Sequence, residues 1–155
     1  HSLADILDVV MTCPSHVDGF SRWKPWIQSY HLIIIVHDND SSNPCNIPDW
    51  VDYELYDRED MNQALGLRSW IISNITAGKD FGLLVSDRRY VYLLHEDSLP
   101  ASNSEGEAVN VIEEHVLNLL TPSTPSYFNT VYDPYRPGVD FVRGTPYSKR
   151  QETLR

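Results

Sequence analysis

Five aliphatic residues in a row, Leu32-Ile33-Ile34-Ile35-Val36, limit what this chain can become more than any other stretch. They do not alternate with polar residues, so neither face of a strand built from them can lie against water. Such a strand belongs inside a parallel sheet covered on both sides, and parallel strands need crossover connections, usually helical. The run is too short to cross a bilayer, so no transmembrane segment is expected. Upstream, "ADILDVVMTC" carries Ile6, Leu7, Val9, Val10 and Met11 and reads as a first strand ending near Thr12. Between the two, "VDGFSRWKPWIQSY" sets Trp23, Trp26 and Ile27 on one face of a helix whose length Pro25 limits. Strand, helix and strand within the first forty residues make a βαβ unit.

The rest of the chain continues the alternation. "VDYELYDREDMNQALG" reads as a short strand followed by a helix, with Asp57 as N-cap, Asp60 three residues on as its reciprocal partner, and Gly66 at the close. "LRSWIISNITAGKDFGLLVSD" holds Trp70, Ile71, Ile75, Phe81 and Leu84 in roughly helical register, with Gly78 as its weak point. "YVYLL" reads as a third buried strand. "SEGEAVNVIEEHVLNLL" predicts a helix with Val109, Ile112, Val116, Leu119 and Leu120 on one face and Ser104 as N-cap. Beyond Leu120 the texture turns to Pro, Ser and Tyr, so 121–155 is expected to be largely irregular, with "VDFVRG" as one more candidate strand. At 155 residues the whole is one α/β domain's worth of chain, with enough apolar content for a core.

A formal charge of −10 argues against a nucleic-acid surface, which needs clustered Lys and Arg. An anionic ligand would need a local basic pocket or a bridging cation. The two cysteines, Cys13 and Cys45, are far apart in sequence; reduced thiols are the simpler reading and a disulfide the alternative. Asn39-Asp40-Ser41 and Asn74-Ile75-Thr76 match the glycosylation pattern, which carries no meaning in a cytosolic chain.

In open α/β sheets, ligands bind beyond the carboxyl ends of the strands. Two predicted strands end in acidic groups there, Asp38 and Asp40 after the second, Glu96 and Asp97 (with His95) after "YVYLL". Converging carboxylates repel unless a cation or hydrogen-bond donors hold them, and oxygen ligands suit Mg²⁺ or Mn²⁺ bridging to a diphosphate. The same residues also read as solvated loop exits. Basic residues are sparse: Arg58 stands at a helix start, and Arg136, Arg143 and Arg150 recur at intervals of seven. An arginine fork can clamp a phosphate, and surface ion pairing is the alternative. His16, His31, His37 and His115 show no ligand spacing and read as structural. Glycine-rich phosphate loops, GxSxG elbows and CxxC pairs are absent.

Taken together, "HLIIIVHDND", "VDYELYDREDMNQALG" and "LLTPSTPSYFNTVYDPYRPGVDFVRGTPYSKR" resemble the reversibly glycosylated polypeptides, or UDP-arabinopyranose mutases, in order from about Asp8 to Arg150. The resemblance implies a GT-A-like, Rossmann-like fold that binds nucleotide-diphospho-sugars. It implies interconversion of UDP-arabinopyranose and UDP-arabinofuranose for cell-wall polysaccharide synthesis, with reversible self-glycosylation on an arginine. It further implies Mn²⁺ or Mg²⁺ as cofactor, homo- or hetero-oligomers with family members, and a cytoplasmic location at the cytosolic face of the Golgi. Position by position, Asp38 and Asp40 match the family's Asp-Gly-Asp, and Arg58 matches the arginine of its "YELYNRND" motif. Asp133, Arg136, Asp140 and Arg143 keep its "DPYR…DFVRG" pattern. Asp133 and Arg136 are thereby expected at the nucleotide-sugar, Arg143 at the phosphates, and Arg150 as the glycosyl acceptor.

The departures are as informative. Three consecutive aspartates after the family's "YIYTI" strand are here His95, Glu96 and Asp97, the expected metal ligands. Ser15 replaces an arginine, Asn74 and Ile75 replace a Lys-Asp pair, and Asn39 replaces the glycine between two aspartates. Family members also run considerably further past the position of Arg150, so a truncated C-terminal part is expected. Two functions follow: an active mutase-like enzyme, or an inactive homologue serving as a UDP-sugar-binding or regulatory subunit of a mutase complex.

Overall fold

The computed structural model of the chain describes residues 2–14, 16, 18–36, 45–72, 75–95 and 98–120. The chain separates into two units, residues 1–99 and 100–155.

The first unit is a mixed α/β, Rossmann-like layer built on an all-parallel sheet. Strand β1 (Leu7–Thr12) is buried at every position, on both faces, as a central strand must be. Helix α1 (Gly19–Ile27) follows, with Phe20, Trp23 and Ile27 buried and Pro25 within its last turn. Strand β2 (His31–Ile35) is the aliphatic run, buried from Leu32 onward. It pairs with β1 in parallel, Val10 opposite Ile33 and Thr12 opposite Ile35. Strand β3 (Asp52–Tyr56) pairs with the far side of β2, and β4 (Tyr90–Leu94) with the far side of β1, both parallel. The order is therefore β3-β2-β1-β4.

Between β3 and β4 run helix α2 (Arg58–Leu65), a 3₁₀ segment (Gly66–Ile72) and helix α3 (Ile75–Val85). The predicted start of α2 is present in full: Asp57 accepts the N–H groups of Glu59 and Asp60, and Asp60 accepts the N–H of Asp57. Gly66 ends the helix at φ 57°, a conformation that a side chain would strain. The core under this crossover joins Val10, Ile33 and Ile35 to Met61 of α2 and Phe81 of α3. Gly82 lets α3 approach β1 so closely that a methyl group there would overlap the branches of Val10.

Several expectations need correction. "YVYLL" is not buried on both faces: only Leu94 is enclosed, because β4 ends the sheet among the described strands and has one neighbour. The helical register read across 67–87 resolves into a 3₁₀ segment and α3, with Gly78 buried inside α3. In the second unit, α4 runs Val111–Leu120 and Ser104 does not cap it. Asn103 Oδ1 accepts the N–H groups of Glu105 and Glu107 and folds that segment into a turn instead. The helix begins after Asn110, whose side chain accepts the N–H of Glu113. Ile112 and Val116 are buried, whereas Leu119 and Leu120 are exposed. The two cysteines are not reduced: Cys13 and Cys45 form a disulfide with Cα atoms 5.8 Å apart. The expected strand "VDFVRG" lies outside the described residues, with all of 121–155. No helix among the described residues is long and apolar enough to cross a membrane.

Candidate functional site

The order of the strands reverses beside β1. The chain moves outward from β1 to β2 to β3, then returns to lay β4 on the opposite flank of β1. Sheets of this kind take ligands beyond the carboxyl ends of the strands flanking such a reversal, here β1 and β4.

The described residues around that edge are held chiefly by backbone. Cys13 N–H donates to Ile35 O at 3.2 Å, and Val36 N–H to Tyr56 O at 2.8 Å, so β1, β2 and β3 end level with one another. Beyond β4, Ser98 N–H donates to His95 O at 3.0 Å. The Trp23 indole N–H reaches from α1 to Ser98 O, also at 3.0 Å. A buried ring on α1 thus anchors the backbone just past the metal ligands expected after β4. Beyond β3, Arg58 opens α2 and lines a shallow hollow with Glu59, Asn62 and Gln63. Tyr56, the last residue of β3, donates its hydroxyl to Glu54 at 2.7 Å. That hydrogen bond, with burial and the charges of Glu54 and Asp60, pushes the phenol up to about 12. Burial alone pushes Tyr92 up.

Of the predicted site residues, the structure places two. Arg58 lies at the carboxyl end of β3, and His95 is exposed directly after β4. They stand beyond opposite ends of the sheet, with β2 and β1 between their strands. Asp38, Asp40, Glu96, Asp97, Asp133, Arg136, Arg143 and Arg150 lie outside the described residues. Among the described residues, no three His, Cys, Asp or Glu side chains come together to hold a metal ion. Those residues alone do not make up a divalent-ion site; they offer one of the three expected ligands, His95.

The amino edge of the sheet has a different chemistry. A cavity of about 360 Å³ there is lined by Asp8, His31, Asp52, Glu54, Asp87 and Arg88, over Ile33 and Val85. Asp8 is buried: its Oδ2 accepts Ser86 Oγ–H at 2.6 Å, and Arg88 Nε stands 3.5 Å from its Oδ1. Arg88 also donates to Asp5 O at 2.7 Å. His31 lies 3.0 Å from Asp52 and 3.7 Å from Glu54. Four carboxylates around one arginine repel a diphosphate, so this cavity is not the nucleotide site. The structural reading of His31 fits this arrangement.

Sequence reasoning missed the Trp23 anchor and ranked the disulfide behind reduced thiols. Both join residues distant in sequence, and only the pairing of β1 with β2 and β4 brings them together.

The chain matches the family model described as reversibly glycosylated polypeptide across residues 2–154. The chain belongs to the reversibly glycosylated polypeptide family. It is 46% identical over 150 residues to probable UDP-arabinopyranose mutase 2 of Solanum tuberosum, covering 96% of this chain and 41% of that protein. It is likewise 46% identical over 153 residues to UDP-arabinopyranose mutase 3 of Arabidopsis thaliana, covering 98% and 42%. With UDP-arabinopyranose mutase 1 of Oryza sativa subsp. japonica it shares 45% over 150 residues, 96% and 41%. The chain thus spans about two fifths of the length of these relatives.

Proposed function

We propose that this chain is the nucleotide-sugar-binding part of a UDP-arabinopyranose mutase-like protein, with a GT-A type of site at the carboxyl edge of the sheet. The observation that supports it most is family membership over nearly the whole chain, at 46% identity to proteins named as mutases. The strand order supports it independently, because its reversal lies beside β1, next to the segment that begins with His95.

In this reading Asp38, Asp40, Arg58, Asp133 and Arg136 bind the nucleotide and sugar. Arg143 faces the phosphates, where a guanidinium stabilises the charge that builds as the anomeric carbon leaves the diphosphate. Arg150 accepts the glycosyl group reversibly. While the sugar is held there, its C1–O5 bond opens and O4 bonds to C1, with the proton that O4 loses ending on O5, so the sugar returns to the diphosphate as the five-membered ring. Asp97, with Glu96 or His95, would hold Mn²⁺ or Mg²⁺, which neutralises diphosphate charge when bound. Trp23 keeps the turn after β4 in place through Ser98. Assembly with family members at the cytosolic face of the Golgi belongs to the same proposal.

One observation favours a second reading. His95 stands directly after β4, where the family's motif carries an aspartate, so a ligand oxygen is exchanged for an imidazole. A protein altered there would bind UDP-sugars without turnover and serve as a subunit of a mutase complex. Calorimetry of UDP binding to the full-length protein, with and without Mn²⁺, separates the two. Incubation with radiolabelled UDP-glucose and chromatography of UDP-arabinopyranose products completes the test. The enzyme requires metal-dependent binding, label lost in Arg150→Ala, and furanose product. Binding indifferent to metal, without label or product, leaves the subunit reading; no UDP binding ends both.

A further inference from the structure

The chain's two cysteines meet at the edge where the ligand is expected. Cys13 is the first residue past β1, and its N–H still pairs with Ile35 O of β2. Cys45 stands beyond the segment that leaves β2, on the way to β3. That segment carries Asp38 and Asp40 in sequence. Its entry is fixed at Val36, which is bonded to Tyr56 O, and its exit is fixed by the disulfide to Cys13.

Both cysteines are half-buried, so a small thiol or disulfide can reach them. A buried structural disulfide would be shielded from exchange; a partly accessible one is open to it. We propose that Cys13 and Cys45 form a reversible oxidation site, whose disulfide state ties the chain at Cys45 to the end of β1 at the carboxyl edge of the sheet. The reacting partner is a low-molecular-weight disulfide such as glutathione disulfide. One cysteine thiolate attacks a glutathione sulfur, giving a mixed disulfide and releasing one glutathione thiolate. The second cysteine thiolate attacks the protein sulfur of that mixed disulfide, forming the Cys13–Cys45 bond and releasing the second glutathione. Two electrons pass from the cysteine pair to glutathione disulfide, and the two thiol protons end on the two glutathiones. Excess reduced glutathione runs the same steps backward.

A consequence for UDP affinity rests on the nucleotide-sugar reading above; the oxidation site does not. The test uses the full-length protein equilibrated across glutathione redox ratios. Differential alkylation is read peptide by peptide, followed by hydrogen exchange over residues 45–50 and UDP calorimetry. The expected result is a Cys13–Cys45 cross-linked peptide that disappears as reduced glutathione rises. Exchange over 45–50 should be roughly tenfold faster in the reduced form, because the chain next to Cys45 then loses its covalent tie to β1. Cys45→Ser should exchange like the reduced protein in every buffer. UDP should bind the oxidised form several-fold more tightly. Thiols that alkylate fully at every ratio overturn the proposal, as does identical exchange in the two states. A cross-link that forms and slows exchange while neither state binds UDP supports the oxidation site and removes the nucleotide reading.

Discussion

At the amino edge of the sheet, charged side chains are tied to one another and to backbone. Asp8 is bound by Ser86 and faced by Arg88, Arg88 holds Asp5 O, and His31 sits between Asp52 and Glu54. At the carboxyl edge, the strands are aligned by backbone hydrogen bonds, one indole and one disulfide. In the sequence, the expected Asp38 and Asp40 follow β2, and Glu96 and Asp97 follow β4. The difference teaches where charge serves the fold and where it serves a ligand. One edge closes its own charges into a lock; the other is fixed through its backbone.

The comparison can be broken first through the core that both edges share. Phe81→Ala empties the space between α3, Val10 and the Tyr56 ring, whose centroid lies 5.3 Å from that of Phe81. It should cost about 3–5 kcal/mol in urea denaturation. Asp8→Ala should cost roughly 1–3 kcal/mol, because Ser86 loses its acceptor and Arg88 its buried counter-charge. UDP affinity of the folded Asp8→Ala protein should be unchanged; a tenfold loss would show that the two edges are not separate. Asp57→Ala removes two capping acceptances at the start of α2 and should cost about 1 kcal/mol in the same measurement. Trp23→Phe keeps most of the buried ring but leaves Ser98 O without its donor, about 0.5–1.5 kcal/mol. Its more telling effect is a several-fold weaker UDP affinity, since the turn after β4 loses its anchor.

The smallest effect concerns pH. The Tyr56 phenol is raised from 10.0 to about 12, so the folded state favours its protonated form. That contribution is fully present below pH 10, and it is lost as pH rises through the folded value near 12. Glu54→Gln should bring the phenol back toward its ordinary value, which spectrophotometric titration of the phenolate reads directly. A Tyr56 titration unmoved by Glu54→Gln would mean that the hydroxyl bond to Glu54 is not what raises it.

Much of this was legible in the residues, for identifiable reasons. The unbroken Leu32–Val36 run could only be a central parallel strand, and Asp57 with Asp60 could only begin a helix, because both signals are local. "YVYLL" has the same apolar texture but lies at the end of the described sheet, and composition does not say how many neighbours a strand has. The α4 start was read too early because Ser104 looks like a cap, while the Asn103 side chain captures the same stretch into a turn. The acidic strand ends pointed to the carboxyl edge from sequence order alone. That Arg58 and His95 stand beyond opposite ends of that edge required the strand order. The disulfide needed more still: β1 and β2 must run parallel and end level before Cys13 and Cys45 can meet.

The position of β1 also sets a timetable for the newborn chain. Of the described strands it leaves the ribosome first, yet one of its flanks is completed only when Tyr90–Leu94 arrives to pair with Leu7–Met11. Throughout the synthesis of what lies between, an all-apolar edge of Val9, Val10 and Met11 waits without its partner. Distant pairings of this kind are slow to form and prone to sticking while they wait. The strand that His95 follows is therefore also the one whose arrival ends that exposure. Substitutions that weaken β4 should show themselves first as lost yield in the cell, before any loss of stability in purified protein.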